Sequence, residues 1–270
     1  MTPTSVGMRC PECSRDRTRT RLGARAFARS DEPRVTYGLI GLNVVLFLAE
    51  AASGGTLGTG GALGNVADRL SLYGPDVASN DRFVQILPQI ADQGAHQFYR
   101  LVTAGFLHQG LLHIAFNMFL LWLLGQMLEP ALGSLRFGAL YFAALLAGSL
   151  GALIASPLSP SLGASGAVFG LMGAAFVEQR RRGINPMQSG IGTLILFNLA
   201  FSLIQPGISI GAHVGGLVGG AMCGLALGAS DRLRDRRLRL PVALGACLLV
   251  GVGSAVAAVA VANSIMLPGG

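Results

Sequence analysis

The sequence predicts an all-α polytopic membrane protein with about seven transmembrane helices. Three observations carry the class. The chain is 51% hydrophobic and 12% charged with positive mean hydropathy, about half the charge of an average soluble domain. Its apolar residues gather into seven runs, roughly 35–52, 108–128, 136–156, 165–179, 190–205, 208–229 and 241–264, and spanning hydrocarbon takes about 20 residues. All 20 basic residues are Arg, and they crowd the alternate segments between runs, which is the distribution that sets membrane orientation.

With the N-terminus in the cytoplasm, 17 Arg lie inside and only Arg69, Arg82 and Arg100 lie outside. The opposite orientation inverts that ratio. The expected protein is therefore a multi-pass cell-membrane protein with its N-terminus inside and its C-terminus outside, and its first partner is the lipid bilayer. The basic balance is no nucleic-acid signal, because the charge is not spread over one face. Ala49-Glu50-Ala51 imitates a signal-peptidase site, but the tail before the first run is too long for an ordinary n-region.

The chain divides into a basic cytoplasmic tail (1–34), a core (35–229) that includes an outer loop (53–98), an Arg-rich cytoplasmic loop (230–240) and an additional C-terminal helix with a short tail (241–270). Cys223 and Cys247 fall in apolar runs, where thiols pack as small hydrophobes. Cys10 and Cys13 are half of a tetrahedral zinc site whose other half is missing, so a reduced thiol pair in an irregular tail is expected. The reading requires no metal and no cofactor.

The fourth run is short. Ser165 to Gln179 makes about 22 Å of helix against about 30 Å of hydrocarbon. Arg180, Arg181 and Arg182 hold its inner end at the surface, so Ser165 should lie below the outer surface. The preceding Ser156–Gly163 must then dip in as irregular chain, which is tolerated only when buried in protein or lining water. A cavity floored by Ser165 and open to the outside follows.

The sixth run enters from that same side and carries His213 near its start. Gly211, Gly215 and Gly219 are spaced by four, as are Gly216 and Gly220; on the fourth run Gly166 and Gly170 match, with Gly173 one turn on. Small residues at this spacing let two helices approach backbone to backbone, close enough for a Ser–His hydrogen bond. Alone, His213 reads as a satisfied core histidine. At the same depth as Ser165 it reads as the general base of a nucleophilic serine. On the second run His113 and Asn117 share one helix face. They suit either an interhelical polar clamp or donors to an oxyanion. His108 reads as structural. Glu50, Glu129 and Glu178 sit at run ends, none placed to orient His213, so a Ser–His dyad is expected rather than a triad.

Together Gly163-Ala164-Ser165-Gly166, His113 with Asn117, Ala212-His213 followed by glycines, Tyr99-Arg100 and Glu129 resemble the rhomboid intramembrane serine proteases over about residues 96–225. The resemblance implies a six-helix core plus one extra helix, Ser165 as nucleophile, His213 as base, and an oxyanion site from His113, Asn117 and the Ser165 N–H. It implies an intramembrane endopeptidase cutting single-pass membrane proteins within or near their transmembrane helices. Phe197, Asn198 and Phe201 on the fifth run become candidate gate residues. The family often has Trp before the Arg at Tyr99-Arg100 and Tyr at the Phe169 position; here both rings persist. Cys10 and Cys13 would be the remnant of a fuller Cys-rich ribbon. The competing class is a non-proteolytic relative that binds membrane clients, which typically lacks the Ser or the His.

Overall fold

A computed structural model describes residues 2–4, 7–9, 32–52, 69–78, 97–205 and 207–265. They fall into two units, Met1–Glu32 and Pro33–Gly270. In the first, β1 (Thr2–Thr4) pairs antiparallel with β2 (Gly7–Arg9), Thr2 opposite Arg9 and Thr4 opposite Gly7. No regular structure was expected in this tail. Thr2 and Thr4 are β-branched and favour extended backbone, and Pro3 is tolerated because a two-stranded ribbon consists only of edges. Cys10, Cys13 and most of the 53–98 loop lie outside the described residues.

The second unit is built on seven long helices: α1 (Arg34–Ala52), α2 (Leu111–Leu132), α3 (Ser134–Ala155), α4 (Ser165–Arg181), α5 (Ile191–Ile204), α6 (Ile210–Ser230) and α7 (Arg236–Ile265). Five of them, α1, α2, α3, α6 and α7, are long and apolar enough to cross a membrane. This unit is all-α, and the chain is a multi-pass membrane protein. Leu248, Leu249 and Val256 on α7 and Leu112, Phe116 and Phe119 on α2 point outward. A soluble monomer rarely exposes so continuous an apolar surface, whereas lipid solvates it.

The short helix α4 is the axis of the bundle. Every residue from Gly166 to Ala175 is buried, and a helix apolar on all sides belongs in the interior. Its most extensive partner is α6, and α6 in turn lies against α3. Two glycine rows on α6 make both approaches. A Cβ on Gly216 or Gly220 would run into the carbonyls of Gly166 and Gly170 on α4. A Cβ on Gly211 or Gly215 would instead run into the backbone of Gly151 and Ala147 on α3. Only the first row therefore serves the α4–α6 approach expected of both. Residues one apart on a helix point about 100° apart, so neighbouring rows need different partners.

The segment before α4 is irregular, and part of its backbone pairs with Leu72, Gly74 and Ala104. Leu72 and Ser161 exchange two backbone bonds of 2.8 and 2.9 Å, the Gly74 N–H donates to the Pro157 carbonyl, and the Gly163 N–H donates to the Ala104 carbonyl, both at 2.9 Å. Beside it the guanidinium of Arg100, buried just after the outer loop, meets Asp76 at 3.1 Å and donates to Gln97 and the Ser71 carbonyl. At the other end of the bundle Arg136 pairs with Asp231 at 2.7 Å, and Glu178 holds Arg181 and Arg182.

Candidate active site

Gly163 turns the chain into α4 with φ of +124°, a conformation that favours glycine. Ala164 follows as N-cap and Ser165 is the first helical residue. Ala164 and Gly166 are buried, while Ser165 between them remains partly accessible. Its backbone N–H belongs to the first turn, where amides have no partner inside their own helix.

His213 sits one turn into α6, whose N-cap Ser209 accepts from the Ala212 N–H. The glycine contact between α4 and α6 brings Nε2 of His213 to 2.8 Å from the Ser165 Oγ, across 48 residues of sequence. Phe169, four residues after Ser165 on the same face of α4, stacks on the imidazole with centroids 4.1 Å apart and planes 19° apart. On the far side, Nδ1 of His213 lies 2.6 Å from the Ser202 Oγ of α5. This contact was not foreseen. Ser202 lies in an apolar run with nothing in its local pattern to mark it.

His113, on the first turn of α2, lies against the turn that presents Ser165: a Cβ on Gly163 would fall 2.8 Å from the His113 Nε2 and 3.8 Å from the Ser165 Oγ. Its Nδ1 accepts from the Gln109 N–H at 3.3 Å, which leaves the neutral ring's proton on Nε2, the nitrogen facing Gly163. Asn117 is buried one turn on and donates one amide hydrogen back to the His113 carbonyl at 3.0 Å. His108 is buried edge-on to His113, centroids 5.1 Å apart. The gate candidates divide: Phe197 and Phe201 face outward, while Asn198 turns inward and donates to the Leu194 carbonyl.

Of the three carboxylates at the run ends, Glu129 and Glu178 are engaged elsewhere. The Glu129 carboxylate accepts from the N–H groups of Val35 and Thr36 and from the hydroxyls of Thr36 and Ser134. Glu178 holds two arginines at the other end of α4. Glu50 is buried at the end of α1.

Residues 95–230 match the family model for the rhomboid domain, half of the chain. The chain belongs to the rhomboid family. This rhomboid is 32% identical over 186 residues to the rhomboid protease GluP of Bacillus subtilis, covering 68% of this chain and 32% of that protein. Over 109 residues it is 36% identical to RHOMBOID-like protein 5 of Arabidopsis thaliana, covering 40% and 35% of the two chains. Over 120 residues it is 37% identical to the putative rhomboid protease YdcA of B. subtilis, covering 43% and 60%. The chain thus spans about a third of the length of the first two of these relatives. The rhomboid domain holds α2 to α6 and with them every side chain of the Ser165–His213 cluster.

Proposed function

We propose that this protein is an intramembrane serine endopeptidase that hydrolyses peptide bonds within or near the transmembrane helices of single-pass membrane proteins. The observation that carries the reading is the 2.8 Å contact between the Ser165 Oγ and the His213 Nε2, joined by helices that pack on glycine. A serine hydroxyl is a weak nucleophile until a base takes its proton.

In this mechanism His213 Nε2 accepts the Ser165 proton as Oγ attacks the scissile carbonyl carbon. The carbonyl oxygen becomes an oxyanion. The Ser165 N–H, the His113 Nε2–H and the free Asn117 amide hydrogen are the donors for it, and such donors act mainly as charge develops. The tetrahedral intermediate collapses with cleavage of the C–N bond, and His213 returns the proton to the leaving amine. A water, deprotonated by His213, then attacks the Ser165 ester; the acyl C–Oγ bond breaks, His213 returns the proton to Oγ, and the acid product leaves. Phe169 holds the imidazole plane throughout.

An intact transmembrane helix shields its carbonyls in backbone hydrogen bonds, so a substrate must unwind locally before Ser165 can reach it. Helix-breaking Gly or Pro and small residues beside the cut favour that step. The Arg distribution supports a cytoplasmic N-terminus and a site opening to the extracytoplasmic side.

The test is covalent labelling of purified protein with a fluorophosphonate probe. Label is expected on Ser165, lost in Ser165→Ala, and slowed at least about 10²-fold in His213→Ala, the scale of general-base help. A folded wild-type protein that neither labels nor cleaves would favour the client-binding reading instead.

A further inference from the structure

The proposed dyad leaves open what holds the base in the right protonation pattern. A neutral imidazole carries one proton on either nitrogen. If it sits on Nε2, His213 offers Ser165 a donor where it needs an acceptor. Soluble serine proteases settle this with a buried carboxylate, whereas here the Nδ1 of His213 faces the Ser202 hydroxyl.

The surroundings of Ser202 decide the tautomer. Its Oγ is buried, 2.6 Å from the backbone carbonyl of Asn198 and 2.6 Å from the His213 Nδ1. A carbonyl oxygen cannot donate, and two oxygens at that separation repel unless a proton lies between them. The single Ser202 proton therefore goes to Asn198. The remaining short contact needs a proton from the imidazole, so Nδ1–H donates to the Ser202 oxygen. The one proton of the neutral ring is thereby used, and Nε2 is left bare toward Ser165 at 2.8 Å.

We infer that Ser202 is a positioning residue that fixes His213 in its Nδ1–H form, so that Nε2 is always the acceptor for the Ser165 proton. The inference rests on the Ser165–His213 reading and adds a third member, a hydroxyl where triads carry a carboxylate. When His213 takes the second proton, Nδ1–H keeps its acceptor, and the hydroxyl dipole faces the imidazolium. Because Ser202 lies on α5 and His213 on α6, the base is set only while these two helices are docked. Among the seven helices α5 makes sparse contact with its neighbours, and this bond links it directly to the His213 side chain.

The experiment compares Ser202→Ala, Ser202→Thr and Ser202→Val in full-length protein in detergent, with melting temperature recorded for each. Thr and Val share a shape and differ by the hydroxyl, so packing and hydrogen bonding separate even if Ser202→Ala fails to fold. The first readout is fluorophosphonate inactivation, resolved into its maximal rate and its half-saturating concentration. Ser202→Thr should stay near wild type. Ser202→Val and Ser202→Ala should lose about tenfold in maximal rate, the scale of one hydrogen bond, with the half-saturating concentration unchanged. The second readout is the imidazole nitrogen spectrum of histidine-labelled protein, which needs no activity. The His213 Nδ1 should carry the proton in wild type and Ser202→Thr, and Nε2 should carry it in a substantial fraction of Ser202→Val. Equal rates and equal spectra for Thr and Val would overturn the inference. Wild-type protein that fails to label at Ser165 would instead overturn the protease reading, while the spectrum would still decide the role of Ser202.

Discussion

The Phe169 ring lies flat on the His213 imidazole, 4.1 Å between centroids and 19° from parallel. Phe169 follows Ser165 by four residues, so one face of α4 carries both the proposed nucleophile and the plate that orients its base. A stacked aromatic pair contributes about 0.5–1.5 kcal/mol beyond area burial. Phe169→Leu should therefore slow probe labelling of Ser165 by roughly 2–13-fold, while Phe169→Tyr, which keeps the ring, should stay closer to wild type. Labelling of Phe169→Leu at the wild-type rate would show that the Phe169 ring is not needed to orient His213.

Asn117→Ala removes a donor from the proposed oxyanion site and leaves the His113 carbonyl without the bond it accepts at 3.0 Å. Cleavage of a transmembrane substrate should fall in kcat by up to about 10²–10³-fold, with KM little changed. A raised KM with an unchanged kcat would make Asn117 a substrate contact. Retention of both constants with a lowered melting temperature would make it a clamp.

The glycine seam predicts sharply different costs for the same substitution. In Gly220→Ala the new methyl would meet the carbonyl, C and Cα of Gly170, all backbone, so α4 and α6 must separate. Overpacking of this kind costs about 1–3 kcal/mol, and because it displaces Ser165 from His213 it should also abolish labelling. Gly245→Ala on α7 meets nothing within 4 Å and should leave thermal unfolding in detergent unchanged or slightly raised, since Ala favours helix over Gly.

Glu129 ties α1 to the bundle. Its carboxylate receives four hydrogen bonds, three of them from the first turn of α1, whose N-terminal amides have no partner within the helix. Glu129→Ala strands those buried donors and should cost on the order of 3 kcal/mol. The melting temperature should fall well below that of wild type while Ser165 still labels in the folded fraction. Full loss of labelling at an unchanged melting temperature would place Glu129 in the chemistry.

Orientation is testable without activity. Cysteine tags at Gly7 and within 231–240 should react only from the cytoplasm, and tags within 53–98 and at Gly270 only from outside. A tag at Gly270 reached from the cytoplasm would remove one span. A 53–98 loop reached from the cytoplasm would reverse the whole orientation and the direction in which the Ser165 site opens.

What the sequence alone determined is what depends on one residue and its near neighbours. The seven helices fall on the seven apolar runs because each run is apolar along its own length, whether it meets lipid or, as in α4, the protein interior. The ends differ where this logic stops: α7 begins at Arg236, five residues before its apolar run, because a helix can continue into water while hydropathy marks only the hydrocarbon. Ser165, His213, His113 and Asn117 could be singled out because polar groups are rare and costly in such runs. Ser202 could not. A serine in an apolar helix is commonly satisfied by the carbonyl four residues back, as Ser202 is by Asn198. What separates Ser202 is the imidazole 2.6 Å away on another helix. Likewise both glycine rows on α6 were visible, but not that one meets α4 and the other α3. Those outcomes belong to the tertiary structure, because the direction in which a side chain points has meaning only once the helix opposite it is in place.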